Sequence, residues 1–395
     1  MAEFTIEDNA RMTQTGAGTP LGELFRRYWL PAFVSKRLST PGGEPVEMKL
    51  LGDAFIAARD ADGTVSIRSA EKSFPTWEAG RIVWTYIGPP ELQPEFPNWL
   101  FTSLPDSHIV AEMYLQDCNY LQGLEADLDF VHGSYLHGNF AEGGQVESGT
   151  EALQAGKMDA IASELGVQLL AHWPSPNYPG CNEYLKHSMI VPCFTSSMDN
   201  SIAGGLFHAW VPIDDEHHLV YYVHFDEAAP LSEEERLQIA RGWGHDLIDP
   251  AHGFRSLACK DNKHLQNWAR YKKYLYSGIP GVSAQDLAII SSMGPIVDRS
   301  LENLGAIDVG LVRLRRYLLR TVSQFAASGK VPRYPAHMPD AEGAVWVIPG
   351  DATWRDALEG RVKNMRRDVR TMPLSKTTLI AGSIQARDLI AREAS

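Results

Sequence analysis

The chain has 395 residues, enough for one large or two ordinary domains with substantial cores. Its 44% hydrophobic and 22% charged residues are those of a soluble globular protein, and a net charge of −13 argues against nucleic acid as a partner. No apolar run reaches the roughly eighteen residues of a membrane span. The acidic start Met1-Ala-Glu-Phe-Thr-Ile-Glu-Asp-Asn9 lacks the apolar stretch of a secretory signal, and the four scattered cysteines form no C-x-x-C pair, so a cytoplasmic protein with reduced thiols and no membrane contact is expected.

Thr19-Pro20 predicts a helix start ahead of Leu21-Gly-Glu-Leu-Phe-Arg-Arg-Tyr-Trp29, with threonine as cap, proline at the first helical position and Pro31 as the stop. Residues 46–51, 54–58 and 64–67 read as strands separated by Gly52-Asp53 and Asp60-Ala-Asp-Gly63 turns, and 81–87 as another strand. Between them, 68–80 reads as a short polar link. Near residue 105 the texture changes, so two domains are expected, 1–104 and 105–395. Residues 119–137 have helical character. Strands at 167–172, 184–192, 205–212 and 218–225 suggest an antiparallel sheet. Ser232-Glu-Glu-Glu-Arg predicts a capped helix, and 285–304 and 308–327 predict long amphipathic ones. Residues 330–349 are rich in proline and turn residues, and a short helix is expected near 353–367.

The chemistry concentrates in Glu125-Ala-Asp127-Leu-Asp129-Phe-Val-His132-Gly-Ser-Tyr-Leu-His137, which holds two histidines and three carboxylates in thirteen residues. In a helix Asp129 and His132 share a face. His132 and His137, five apart, would splay by about 140° on an ideal helix. They converge on one metal only if the helix widens, breaks or ends there, which Gly133 and Gly138 make cheap. Two imidazoles and a carboxylate on one side of a metal leave positions open for substrate and dioxygen, as in non-haem Fe(II) oxygenases. From spacing alone, histidines hydrogen-bonded to nearby acids remain the commoner arrangement. His172, His187, His208 and His224 fall in strands and read as ordinary strand residues.

The run Cys118-Asn119-Tyr-Leu-Gln-Gly-Leu-Glu125, followed by Asp129-x-x-His132 and His137, resembles the iron site of Rieske-type non-haem iron oxygenase α-subunits. The resemblance is closest to the phthalate 4,5-dioxygenase and aromatic O-demethylase branch. It extends to Thr15-Gly-Ala-Gly-Thr-Pro-Leu-Gly-Glu-Leu-Phe-Arg-Arg-Tyr-Trp-Leu-Pro31, to Ile82-Val-Trp-Thr-Tyr-Ile-Gly-Pro-Pro90 and to Ser277-Gly-Ile-Pro-Gly-Val-Ser-Ala-Gln-Asp286. It continues through Ser292-Met-Gly-Pro-Ile-Val-Asp-Arg-Ser300, Leu301-Glu-Asn-Leu-Gly305 and 308–316, covering nearly the whole chain. The resemblance implies His132, His137 and Asp286 as ligands of a mononuclear Fe(2+). Without it, Asp286 reads as a first-turn helix acid. It implies Asp129 as the link between an iron histidine and a neighbouring subunit's cluster, suited also to fixing a ligand tautomer. Glu125, one turn earlier, would shape the pocket or relay protons.

The implied fold is α+β: a helix-grip-like catalytic domain, with an antiparallel sheet around long C-terminal helices, after a reduced β-rich remnant of a Rieske domain. A departure stands out. The family binds its [2Fe–2S] cluster through C-x-H and C-x-x-H, and neither pattern occurs; before Cys118 there is no cysteine and only His108. The chain is therefore expected to hold no cluster of its own. Three readings stay open. In the first, the oxygenase draws electrons from a separate Rieske or ferredoxin-type protein, or from a reductase, as a homotrimer or mixed hetero-oligomer. In the second, the metal enzyme needs no external electrons. In the third, the chain is a non-catalytic partner subunit of a true oxygenase. The substrate implied is aromatic, hydroxylated or O- or N-demethylated with O2. The cations and aromatics of 261–276 suit a carboxylate and a ring, or simply a solvated basic helix face.

Overall fold

The structure is a computed structural model that describes residues 4–137, 157–175, 178–197, 204–271, 277–335, 338, 344–358 and 361–362. Helix α1 (Ile6–Thr13) opens on a reciprocal cap: Asp8 N donates to Thr5 Oγ1 at 3.0 Å, and Thr5 N to the Asp8 carboxylate at 3.1 Å. Helix α2 (Pro20–Phe25) starts as the sequence predicts, with Gly22 N donating to Thr19 Oγ1 at 3.1 Å. It stops sooner than expected. Pro31 lies not at its end but in strand β1 (Leu30–Val34), where the register shifts between Pro31 and Phe33. A residue with no N–H is tolerated at such an irregularity.

Strands β2 (Val46–Leu50), β3 (Asp53–Arg59), β4 (Val65–Arg68) and β5 (Ser73–Phe74) form an antiparallel sheet in that order. Strands β6 (Thr76–Ala79) and β7 (Ile82–Thr85) join β1 in a second sheet ordered β1-β7-β6. The stretch expected as a bare link thus contributes two short strands. It closes through a tight turn in which Ser69 N donates to Lys72 O at 2.9 Å.

The third sheet carries ten strands among the described residues: β8 (Ile109–Gln116), β9 (Lys157–Ala162), β10 (Gly166–Pro174), β11 (Cys181–Ile190), β12 (Phe194–Ser197), β13 (Gly205–Pro212), β14 (His218–Phe225), β15 (Ile248–Asp249), β16 (Arg255–Ser256) and β17 (Ala344–Pro349). Their order is β15-β16-β8-β14-β13-β12-β11-β10-β9, with β17 on β11, and every pairing but β16 on β8 is antiparallel. Strands β13 and β14 match the expected boundaries and are buried along their whole length. One face packs on the segment leading into β8, where Phe207 meets Trp99 and Phe101 at ring separations of 4.9 and 4.8 Å, and on β7, where it meets Trp84 at 6.4 Å. His208, Trp210 and Tyr222 lie on the other face with Tyr114, as their cross-strand pairing requires. The architecture is α+β, as expected, with the helices against this second face.

Helices α3 (Tyr120–Asp127) and α4 (Phe130–Leu136) supply the helical character expected over 119–137, in two pieces. Asp129 adopts φ −96°, ψ 97° and caps α4, accepting from Val131 N at 2.9 Å. Helix α3 lies close on the sheet because residue 123 is glycine: a Cβ there would fall 2.3 Å from Trp210 Cε3. Helix α5 (Glu233–Trp243) begins at the predicted Ser232 cap, and a single turn, α6 (Trp268–Tyr271), follows. Helix α7 (Val282–Ser292) is shorter than the run 285–304, since Gly294 turns to φ +92° and Pro295 follows. Helix α8 (Val309–Ser328) realises the prediction at 308–327, and α9 (Trp354–Leu358) part of that at 353–367, whose residues 359–360 and 363–367 lie outside the described ones. Among the described residues no helix is long and apolar enough to cross a membrane.

Candidate metal centre

Helices α4 and α7 face each other across the site. His132 sits in the first turn of α4, which ends at Leu136. His137 leaves it with φ −94°, ψ 4°. That ending lets two imidazoles five residues apart converge, with ring centroids 5.0 Å apart at 77°. Asp286 comes from the second turn of α7. The start of α7 is held against the end of α5 by Gly281 at φ +83°, where a Cβ would fall 2.8 Å from Gly244 Cα.

Asp286 Oδ1 lies 3.2 Å from His137 Nε2 and 3.5 Å from His132 Nε2. One ligand atom from each of the three residues falls within 4.8 Å of the others. Both rings are turned the same way. His132 Nδ1 donates to the Asp129 backbone carbonyl, and His137 Nδ1 donates to Gln285 Oε1 at 2.7 Å. The buried Gln285 is itself fixed by donating to Ile279 O at 2.8 Å. Nδ1 of each imidazole is thereby held as a donor, and Nε2 is the atom each ring can give to a cation on losing its second proton.

Burial alone would raise the Asp286 carboxyl, but His137 and His132 beside it hold it well below the usual range. For His132, burial opposes charge, yet the facing Asp286 carboxylate, then the Asp129 charge, push it up to about 9. Asp286 Oδ1 is buried and has no hydrogen-bond partner. A cation fits this arrangement. Two ligands at right angles, each about 2.1 Å from one ion, stand about 3 Å apart, and the orphaned oxygen gains its missing partner. Two histidines and one carboxylate, with the remaining positions open, form the donor set of mononuclear iron oxygenases.

The other expected residues fall differently. The Asp129 carboxylate is 36% exposed, its Oδ2 is 3.9 Å from His132 Nδ1, and the carbonyl of Asp129 is what meets the ring. Glu125 is turned into a buried ion cluster. It accepts from Arg315 Nε at 2.7 Å, from Arg299 Nη2 at 2.9 Å and from Arg299 Nε at 3.1 Å. Arg299 Nη1 also donates to Asn9 Oδ1 at 2.9 Å, and Arg315 pairs with Glu302. Burial opposes ionisation of Glu125, but the two guanidiniums hold its carboxyl below the usual range. Of the 261–276 stretch, Lys263 and His264 adopt positive φ, Trp268 is exposed, and 272–276 lie outside the described residues.

Two features went unforeseen. Gln285 had no signal beyond its place before Asp286. Asp127, unused in the sequence reading, accepts from His208 Nδ1 at 3.0 Å and from Thr195 Oγ1, while its backbone carbonyl accepts from His187 Nδ1 at 3.2 Å. Strand burial hides such a pair, because periodicity shows which face a histidine occupies and not which acid it meets.

A profile of the LigXa C-terminal-domain-like family matches residues 85–374. The chain is 26% identical to the phthalate 4,5-dioxygenase oxygenase subunit of Pseudomonas putida, over 89% of this chain and 94% of that protein. It is 25% identical to the 3-chlorobenzoate-3,4-dioxygenase oxygenase subunit of Comamonas testosteroni, over 91% and 99%. With the 5,5'-dehydrodivanillate O-demethylase oxygenase subunit of Sphingobium sp. it shares 23% over 90% and 88%. Dicamba monooxygenase bound to 3,6-dichlorosalicylic acid has the same fold, with a TM-score of 0.50 at 13% identity, covering 77% of this chain and 99% of that one. With a profile spanning more than half its length and such relatives along nearly all of it, the chain belongs to the LigXa C-terminal-domain-like family of Rieske oxygenase oxygenase subunits.

Proposed function

We propose that the protein is the iron-bearing oxygenase component of an electron-fed system of aromatic-compound catabolism. It uses O2 to hydroxylate an aromatic substrate or remove an O- or N-methyl group. One observation carries this reading: His132 Nε2, His137 Nε2 and Asp286 Oδ1 converge at ligand spacing. Bound Fe(2+) would supply the centre at which dioxygen and substrate meet on open positions. The protein's part is positional. The Asp129 carbonyl and Gln285 Oε1 keep the ring protons off Nε2, and Asp286 offers the anionic ligand.

The sequence holds no C-x-H or C-x-x-H pair, so we assign the electrons to a separate Rieske or ferredoxin-type partner, or to a reductase. The exposed carboxylate of Asp129 faces that donor in a homotrimer or mixed hetero-oligomer. We divide the chain into a β-rich lobe, 1–104, and an iron domain, 105–395, and place it in the cytoplasm with its four free cysteines reduced.

Anaerobic titration with ferrous iron tests the reading. Wild type binds about one iron per chain and His132→Ala binds almost none. A wild type that holds no iron defeats the proposal. Turnover that is equally fast without any electron donor would favour a metal enzyme needing no external electrons.

A further inference from the structure

Beside the triad lies a second group of polar atoms that the metal reading does not use. His208 is 4% exposed, and its Nε2 is buried with no hydrogen-bond partner. Its other nitrogen is fixed by Asp127, whose carboxylate also takes the Thr195 hydroxyl. The proton of His208 is thereby placed on Nδ1, and Nε2 is left as an acceptor. Aromatic rings surround it: Tyr222 at 4.2 Å, Trp210 at 5.8 Å and Trp243 at 6.2 Å between centroids.

Polar groups continue from there towards the triad. Tyr114 donates its hydroxyl to Tyr222 at 3.0 Å, and the groups acting on Tyr114 include Ser283, Asp286 and Gln116. Ser283 Oγ and both amide atoms of Gln116 are, like His208 Nε2, buried, and these two side chains lie within reach of the Tyr114 hydroxyl. A buried polar atom left open, as His208 Nε2 is, costs stability unless something fills it, and it lies on the same sheet face as Tyr114 and Tyr222, the tyrosines on which Asp286 acts.

We propose that His208, oriented by Asp127, is the substrate-recognition residue of this site and accepts a hydrogen bond from a ring hydroxyl, so that the substrate class is a phenol. This deepens the oxygenase reading and rests on it. Asp127 acts as a positioning residue through the histidine tautomer.

The test is anaerobic calorimetric titration of the full chain, with bound iron measured on the same samples. The probes are 4-methylphenol, its methyl ether 4-methylanisole, and benzoate. Wild type binds the phenol about tenfold more tightly than the ether, the worth of one buried hydrogen bond. His208→Phe keeps a ring of similar size and erases the preference. Asp127→Asn lets an amide donate to Nδ1, moves the proton to Nε2 and reverses the preference towards acceptor ligands, which a merely structural loss would not do. Equal affinity of wild type for phenol and ether, no binding of either, or tighter binding of benzoate overturns the proposal. These wild-type results need no variant to fold. Iron bound without a phenol preference sinks this inference and leaves the oxygenase reading standing. A phenol preference without iron does the reverse.

Discussion

Two inward-facing carboxylates, Glu125 on α3 and Asp286 on α7, end in opposite conditions. Glu125 is clasped by two guanidiniums that fill its oxygens and are themselves tied to Asn9 and Glu302. Asp286 faces two imidazole Nε2 atoms, and its Oδ1 has no hydrogen bond. A satisfied buried acid holds elements together, whereas an unsatisfied one reserves a place for something the polypeptide does not supply. Sequence position gives no hint of this, for Glu125 stands within the very run that carries His132 and His137.

The contrast is open to attack by substitution. The largest expected effects come from exchanging the two failures. Arg315→Met leaves Glu125 with a partner missing and costs about 3–5 kcal/mol of unfolding free energy in urea. Asp286→Asn abolishes stoichiometric iron binding in anaerobic titration while leaving apo stability within about 1 kcal/mol. Comparable destabilisation by both changes would erase the distinction. Next, Gln285→Leu frees the His137 ring to rotate and weakens iron binding about 10–100-fold, read by competition with a chelator. An unchanged affinity would mean that packing alone orients the ring.

Acid probes the same pair. The Glu125 carboxyl is depressed in the folded state by Arg299 and Arg315 despite burial. Its contribution is therefore present above the unfolded value of about 4.3 and is lost as pH falls through the lower folded value. Wild type should lose stability on acidification below about pH 4.3 more steeply than Glu125→Gln, measured by urea midpoints along a pH series. Identical slopes would place the charge pairing elsewhere. The smallest effect belongs to Asp129→Ala. It removes the α4 cap, for about 1 kcal/mol, yet keeps the carbonyl that holds His132. Iron affinity should stay within a few-fold of wild type while electron delivery from a partner slows. Loss of iron in this variant would show that the carboxylate itself holds the ring.

What could be read beforehand depended on how local the cause was. The Thr19 and Ser232 caps, strands β13 and β14 and helix α8 are set by residues within a few positions, and they appear where the sequence puts them. Strand β17 lies in a stretch that reads as turns, because its reason to extend is β11, more than a hundred residues away. The break between α3 and α4 escaped notice because an aspartate capping a second helix looks, in one dimension, like an acid within a longer one. At the site, the histidine spacing showed what had to happen to the helix, and its end at Leu136 supplies it. Asp286 could be named only through the family resemblance, since nothing local distinguishes it from a first-turn helix acid. The partners of Glu125, 174 and 190 residues downstream, and the meeting of Asp127 with His208, 81 residues apart, are products of topology.

The tie from Asn9 to Arg299 bears on the order in which the molecule is made. Helix α1 leaves the ribosome well ahead of its partners, since its contacts to Val297 and Arg299 span 288 and 290 residues. Such long closures form slowly. The cluster that locks α3, the element leading into the two histidines, is complete only when Arg315 arrives. A nascent chain stopped short of α8 would carry every proposed iron ligand and still lack the brace behind them.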